Sequence, residues 1–163
     1  MRILGIDPGY AILGFGIIEK KGSKLHYITH GTIQTNSKTP HSKRLTIIYN
    51  ELCKLYPQYD ISEVGIEKVF FSNNTKTAIN VAQSQGIALL SAEQNKCRSF
   101  NYTPPQIKSG VSGYGKADKH QVQAMVKRIL NLQKIPKPDD AADALAVAIC
   151  HAHHSKIATA YVK

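Results

Sequence analysis

The hydrophobic period changes after Gln34, and no other feature of this sequence restricts the fold as much. Before that point apolar residues come in short runs. Residues 2–7 form one run, stopped by the turn signal Asp7-Pro8-Gly9. Residues 14–20 (GFGIIEK) form a second, Lys21-Gly22-Ser23 suits a hairpin turn, and residues 25–34 form a third strand with β-branched and aromatic side chains. Three strands joined by tight turns predict an antiparallel meander. Beyond Gln34 the spacing becomes helical. Leu45, Ile48, Tyr49, Leu52, Leu55 and Tyr56 predict an amphipathic helix over 42–56, with Pro57 expected to end it. Residues 63–71 (EVGIEKVFF) predict a central strand, apolar on both sides. A helix over 75–93 carries the small residues Ala78, Ala82, Gly86 and Ala88. A short strand follows at 99–102, then Thr103-Pro104-Pro105, a cap with proline at the first helical turn. Val122, Met125, Val126, Ile129 and Leu130 form another helical stripe. Asp140 opens a last helix, AADALAVAICHAH, apolar on nearly every face. The order β-β-β-α-β-α-β-α-α-α predicts an α/β fold, with a mixed five-stranded sheet flanked by helices.

The 163 residues suit one domain spanning 1–163, since no internal repeat or long linker divides them. No apolar run approaches the roughly 20 residues a membrane span needs, and Asp7 interrupts the apolar N-terminus, so the chain reads as cytoplasmic. Cys53, Cys97 and Cys150 lie far apart without CxxC pairing, which argues against a zinc site or a disulfide framework. The net charge of +10 fits a polyanionic partner, although charge alone does not distinguish DNA, RNA and an anionic membrane. The basic residues are dispersed, so only folding can gather them into a surface.

The eleven acids separate by context. Glu19, Glu51, Asp60, Glu63, Glu93, Asp118 and Asp139 sit beside polar residues, turns or helix ends and are expected to be solvated or capping. Four remain. Asp7 ends an apolar strand, Glu67 lies inside VGIEKVFF, and Asp140 and Asp143 stand three residues apart at the start of the last helix, on one face. Taken singly, Asp140 could be an N-cap, Asp143 a partner of the helix dipole, Asp7 a turn residue, and Glu67 one half of an ion pair. Taken together they are a candidate metal site. An ionised carboxylate among apolar neighbours is costly without a partner. Carboxylate oxygens suit Mg²⁺ or Mn²⁺, and two such ions about 4 Å apart promote in-line displacement at phosphorus. His151, His153 and His154 do not have convincing metal-ligand spacing and read as a solvated cluster near a helix C-terminus.

Three stretches closely resemble one family. GIDPG at 5–9, IEKVFF at 66–71 and DAADALAVAI at 140–149 are similar to the RuvC family of bacterial Holliday junction resolvases, as is GKADKHQVQAMV at 115–126. The similarity extends over essentially the whole chain. GIDPG alone also resembles the phosphate loops of actin-like ATPases. The resemblance implies a ribonuclease-H-like fold and a homodimer that nicks a four-way junction symmetrically, with Mg²⁺ bound by Asp7, Glu67, Asp140 and Asp143. It also implies an aromatic at Phe70 that meets bases, functional lysines at Lys108 and Lys119, and the branch-migration proteins RuvA and RuvB as partners. Family members often carry Gln where this chain has Lys68. Asn73, Asn74 and Lys76, just after the tandem Phe70-Phe71, are further candidate DNA contacts, and Gly113-Tyr114-Gly115 suggests a flexible loop near the junction. The small-residue helix over 75–93 is a candidate dimer face.

Three other functions compete. An actin-like ATP-binding module needs two similar domains and a second phosphate loop, and neither is evident. A non-catalytic DNA binder gains nothing from carboxylates facing phosphate. A ribonuclease H acting on RNA–DNA hybrids could use the same metal chemistry and is disfavoured only by the resemblance.

Overall fold

A computed structural model of the chain describes residues 1–69 and 75–158. Strands β1 (Arg2–Asp7), β2 (Ile12–Lys21), β3 (Lys24–Gln34), β4 (Glu63–Glu67) and β5 (Arg98–Tyr102) make one sheet, ordered β3-β2-β1-β4-β5. The first three are antiparallel neighbours, while β4 joins β1, and β5 joins β4, in parallel. Each parallel join needs a crossover, supplied by α1 (His41–Tyr59) and α2 (Thr75–Gln94). Helices α3 (Pro104–Ser112), α4 (Lys119–Ile129) and α5 (Asp139–Ala158) complete the chain. The element order is the one predicted from the hydrophobic periods.

Two boundaries differ from expectation. Helix α1 runs through Pro57 to Tyr59. A proline this close to a helix end forfeits only the bond to the Cys53 carbonyl, and its fixed φ is already helical. The helix stops instead at Asp60, whose φ of 51° is left-handed and whose N–H bonds the Tyr56 carbonyl. Strand β4 ends at Glu67, four residues short of 71. Its neighbour β5 ends opposite, at Tyr102, and the Lys68 N–H donates a last bond to the Tyr102 carbonyl at 2.7 Å.

Alternation along the strands divides the sheet into two faces. Leu4, Ile6, Leu13, Ile17, Val64 and Ile66 pack with residues of α1 and α2. Ile3 and Ile18 pack with residues of α3, α4 and α5. Helix α5 lies between the sheet and helices α3 and α4, so it can be apolar all round, and Ala144–Cys150 are all buried.

Glycines let α5 come unusually close. Gly5 pairs with Gly16 on one side and Gly65 on the other, so three glycines form a row across the sheet. A Cβ on Gly5 would lie 2.1 Å from the Ala144 carbonyl oxygen, and one on Gly14 would lie 2.0 Å from that of Asp140. The register of helix on strand then follows. Glu63, Gly65 and Glu67 share the face of β4 toward α5, and Asp143, Val147 and His151 recur every four residues along α5. Gly65 meets Val147 and the Cβ of His151, and Glu63 meets the imidazole of His151.

That register overturns two expectations. Glu63 is 6% exposed rather than solvated, and His151 is 1% exposed rather than part of a solvated cluster. Glu63 Oε2 lies 2.8 Å from His151 Nε2, Tyr102 Oη lies 2.7 Å from His151 Nδ1, and Arg98 also bonds Glu63. Burial holds His151 below the usual histidine range, against the opposing pull of Glu63. Glu63 stands four residues before Glu67, so strand alternation carries it to the same covered face, where a carboxylate must be paired. We expect Glu63→Ala to cost about 3 kcal/mol, because it leaves the buried imidazole Nε2 of His151 without its acceptor. An unchanged urea midpoint would show that the pair adds nothing to stability.

Cys53, Cys97 and Cys150 are free thiols. No helix among the described residues is long and apolar enough to cross a membrane.

Candidate active site

Asp7 is the last residue of β1 and Glu67 the last of β4. The parallel register pairs Ile6 with Ile66, so the two acids leave the same sheet edge side by side. Both share strand parity with a glycine that touches α5, Gly5 and Gly65, so both lie on the face that α5 covers. The helix arrives at that edge. Its Asp140 carbonyl abuts Gly14, and Gly14 is the β2 partner of Asp7. Asp140 and Asp143 are thereby brought to the strand acids.

The electrostatics record this convergence. Burial, then repulsion from Glu67, Asp143 and Asp140, pushes the Asp7 carboxyl up to about 8, with Lys119 opposing. Burial, then Asp143, pushes Glu67 up to about 7, against Lys119 and Lys108. Burial also raises Asp143, though Lys119 pulls it down. Lys119 Nζ stands 3.2 Å from Asp143 Oδ2 and 3.3 Å from Asp139 Oδ2. Against the downward pull of partial burial, those two carboxylates hold Lys119 above its ordinary range. Asp139 is held at about 2 by Lys137, 2.7 Å away, and by Lys119.

A cavity of about 180 Å³ opens beside the acids. Glu67, Asp143, Lys108 and Lys119 form its charged side, and Pro104, Ile107, Val122 and Ala146 its apolar wall. Helices α3 and α4 carry that wall together with Ala146 of α5, and α3 and α4 each start with a capping box: Thr103 with Gln106, and Asp118 with Gln121. The Thr103 cap with its following prolines was legible in the sequence, but the pocket that it frames was not.

Glu67, Asp143 and Asp140 all lie near enough to Asp7 to raise its carboxyl, with Lys119 opposing them and Lys108 opposing the rise of Glu67. Lys119, one of the two functional lysines that the resemblance implies, is ion-paired with Asp143 and Asp139. Phe70, Phe71, Asn73 and Asn74 lie outside the described residues, as does the side chain of Lys76 in the first turn of α2. Among the described residues, no three His, Cys, Asp or Glu side chains stand as a group able to hold one metal ion. The donor chemistry nonetheless fits a hard divalent cation. Every candidate is a carboxylate, and repulsion among them adds to burial in raising Asp7 and Glu67.

A mixed sheet of this order, with acids at the ends of two parallel neighbours and at the start of the covering helix, defines a ribonuclease-H-like protein. The chain belongs to the RuvC family, for the family model of crossover junction endodeoxyribonuclease RuvC matches residues 3–151. Crossover junction endodeoxyribonuclease RuvC of Clostridioides difficile (strain 630) is 53% identical over 157 residues, covering 96% of this chain and 93% of that protein. Its counterpart from Alkaliphilus oremlandii (strain OhILAs) is 54% identical over 153 residues, covering 94% of this chain and 93% of that one. The structure of T. thermophilus RuvC in complex with Holliday junction substrate matches with a TM-score of 0.92 at 31% identity, over 98% of this chain and 97% of that one. The yeast mitochondrial Holliday junction resolvase Ydc2 shares the fold, with a TM-score of 0.70 at 12% identity, over 98% of this chain and 80% of that one.

Proposed function

We propose that this chain is a single-domain, structure-selective endonuclease. It resolves four-way (Holliday) DNA junctions by symmetric phosphodiester hydrolysis, in homologous recombination and DNA repair. What supports this is the mutual repulsion of Asp7 with Glu67, Asp140 and Asp143 in a chain of the RuvC family.

Those four carboxylates would hold Mg²⁺, two ions per site, with Mn²⁺ as a substitute. When bound, the ions supply Lewis acidity at phosphorus and lower the pKa of water. The protein's own groups do the rest. Asp7 and Glu67 are presented by strand ends, so their positions are set by the sheet rather than by loops. Lys108, on the cavity wall beside Glu67, offers positive charge where the phosphate develops negative charge. Lys119 holds Asp143 in place, and its ammonium can turn from that carboxylate to a phosphate oxygen. The apolar wall of Ile107, Val122 and Ala146 excludes water from one side of the cavity. In the reaction a water oxygen bonds to phosphorus as the bond to the leaving oxygen breaks. The water gives up a proton, and the leaving oxygen gains one.

Phe70 would stack on an unpaired base near the crossover, with Asn74 and Lys76 at the backbone. A homodimer would present two such sites for paired nicks. Helix α2 supports this as the dimer face, since Ile79 and Leu90 are exposed and a Cβ on Gly86 would meet nothing within 4 Å. RuvA and RuvB would be its branch-migration partners, in the cytoplasm.

The deciding experiment offers a synthetic four-way junction, a linear duplex and an RNA–DNA hybrid to the protein, with Mg²⁺ and with EDTA. Paired symmetric nicks in the junction alone, lost in EDTA, are expected. Cutting of the hybrid would make the protein a ribonuclease, and binding without cutting would refute the carboxylate site.

A further inference from the structure

Between Glu19 and Glu51 the chain has six Lys or Arg, three His and no acid. The fold concentrates part of this charge beside the active-site edge. Asp7 pairs with Gly14, and Gln34, the last residue of β3, pairs with Ile12. The end of β3, and the start of α1 just after it, therefore lie at the edge from which Asp7 projects. Thr35 ties them to the catalytic turn, its N–H donating to the Ala11 carbonyl at 2.9 Å and its hydroxyl to the Tyr10 carbonyl at 2.8 Å.

Arg44 is buried here, at 8% exposure, and none of the described carboxylates pairs with it. Its Nε donates to Thr35 Oγ1 at 2.8 Å, and its guanidinium carbon lies 3.8 Å from the centre of the Tyr10 ring. Those contacts fix the guanidinium plane, while its two terminal nitrogens have no hydrogen-bond partner and are not sealed from solvent. His41 Nδ1 lies 2.6 Å from the Oη of the same tyrosine. The first turn of α1 has no side-chain cap and no acidic residue, so its N–H groups add partial positive charge. A buried, oriented guanidinium without an anion, next to a histidine and an uncapped helix start, is matched to a phosphodiester.

We propose that Arg44, His41 and the first turn of α1 form a second phosphate seat, which grips a backbone phosphate of the bound DNA apart from the phosphate that is cut. The proposal rests on the chain binding DNA as a RuvC-family enzyme. Being a backbone contact, it should add affinity without sequence preference.

The test is junction binding by the full chain in EDTA, so that no cutting occurs, from 50 to 200 mM salt. Arg44→Gln and His41→Glu are compared with Lys54→Gln, an exposed change of equal charge at the far end of α1. Arg44→Gln and His41→Glu should each weaken binding about tenfold and lower the salt slope by about one. Lys54→Gln should leave both near wild type. If Arg44→Gln fails to fold, as judged by its melting temperature, the exposed His41→Glu decides. Wild-type affinity and slope in the folded variants would overturn the seat, as would an equal loss in Lys54→Gln. Failure of the wild type itself to bind the junction would instead refute the functional proposal, and the seat with it.

Discussion

Asp7→Asn is expected to reduce junction cleavage by a thousandfold or more while making the metal-free protein more stable. The loss of cleavage follows from the role proposed for Asp7, since asparagine keeps the shape but loses a charged oxygen donor. The gain in stability follows from linkage. The Asp7 carboxyl sits at about 8 in the fold, against 3.8 for the free side chain. The folded state therefore binds the proton more tightly than the unfolded chain does. Its contribution to stability is fully present below pH 4 and is lost as the pH rises through 8. Glu67, raised from 4.5 to about 7, acts in the same direction over a narrower window. Asparagine is neutral at every pH and escapes the penalty. In urea titrations with EDTA, the variant should exceed wild type by on the order of 2 kcal/mol at pH 8, falling to roughly a third of that at pH 5. Junction binding should survive, because one fewer negative charge faces phosphate. A variant less stable than wild type at pH 8, or one that no longer binds DNA, would assign Asp7 a structural role.

Gly5→Ala should be more damaging than a one-methyl change normally is. The added Cβ would lie 2.1 Å from the Ala144 carbonyl oxygen and 2.6 Å from the Ala148 nitrogen. Both are backbone atoms of α5, so no side-chain rotation relieves the clash and the helix must lift from the sheet. We expect a loss of about 3 kcal/mol, at the upper end for overpacked cores. Cleavage should fall as well, because Asp140 and Asp143 ride on the displaced helix while Asp7 and Glu67 stay with the strands. A variant that keeps both its melting temperature and its cleavage would show that the helix–sheet contact is not what assembles the site.

Much of the molecule was legible in local patterns. Period-2 runs and turn residues marked the meander, apolar spacing marked the helices, and the Thr103 cap marked the start of α3. The four acids stood out because each interrupts or adjoins apolar sequence. Pro57 misled, since the same residue that stops a helix in its interior costs little in its last turn. The end of β4 misled as well, because a strand lasts only as long as its neighbour, and β5 gives out at Tyr102.

What the sequence alone determined is the order of the elements, which four acids interrupt or adjoin apolar sequence, and an excess of positive charge that fits a polyanion. These depend on residues within a few positions of one another. Only the tertiary structure decided that Glu63 and His151, 88 residues apart, form a buried pair, that Lys119 lies between Asp139 and Asp143, and that Arg44 is buried without an anion. Those outcomes depend on how far α5 slides along β4 and where β3 delivers α1. Glycine floors and strand register set both, through contacts between segments that are distant in the chain.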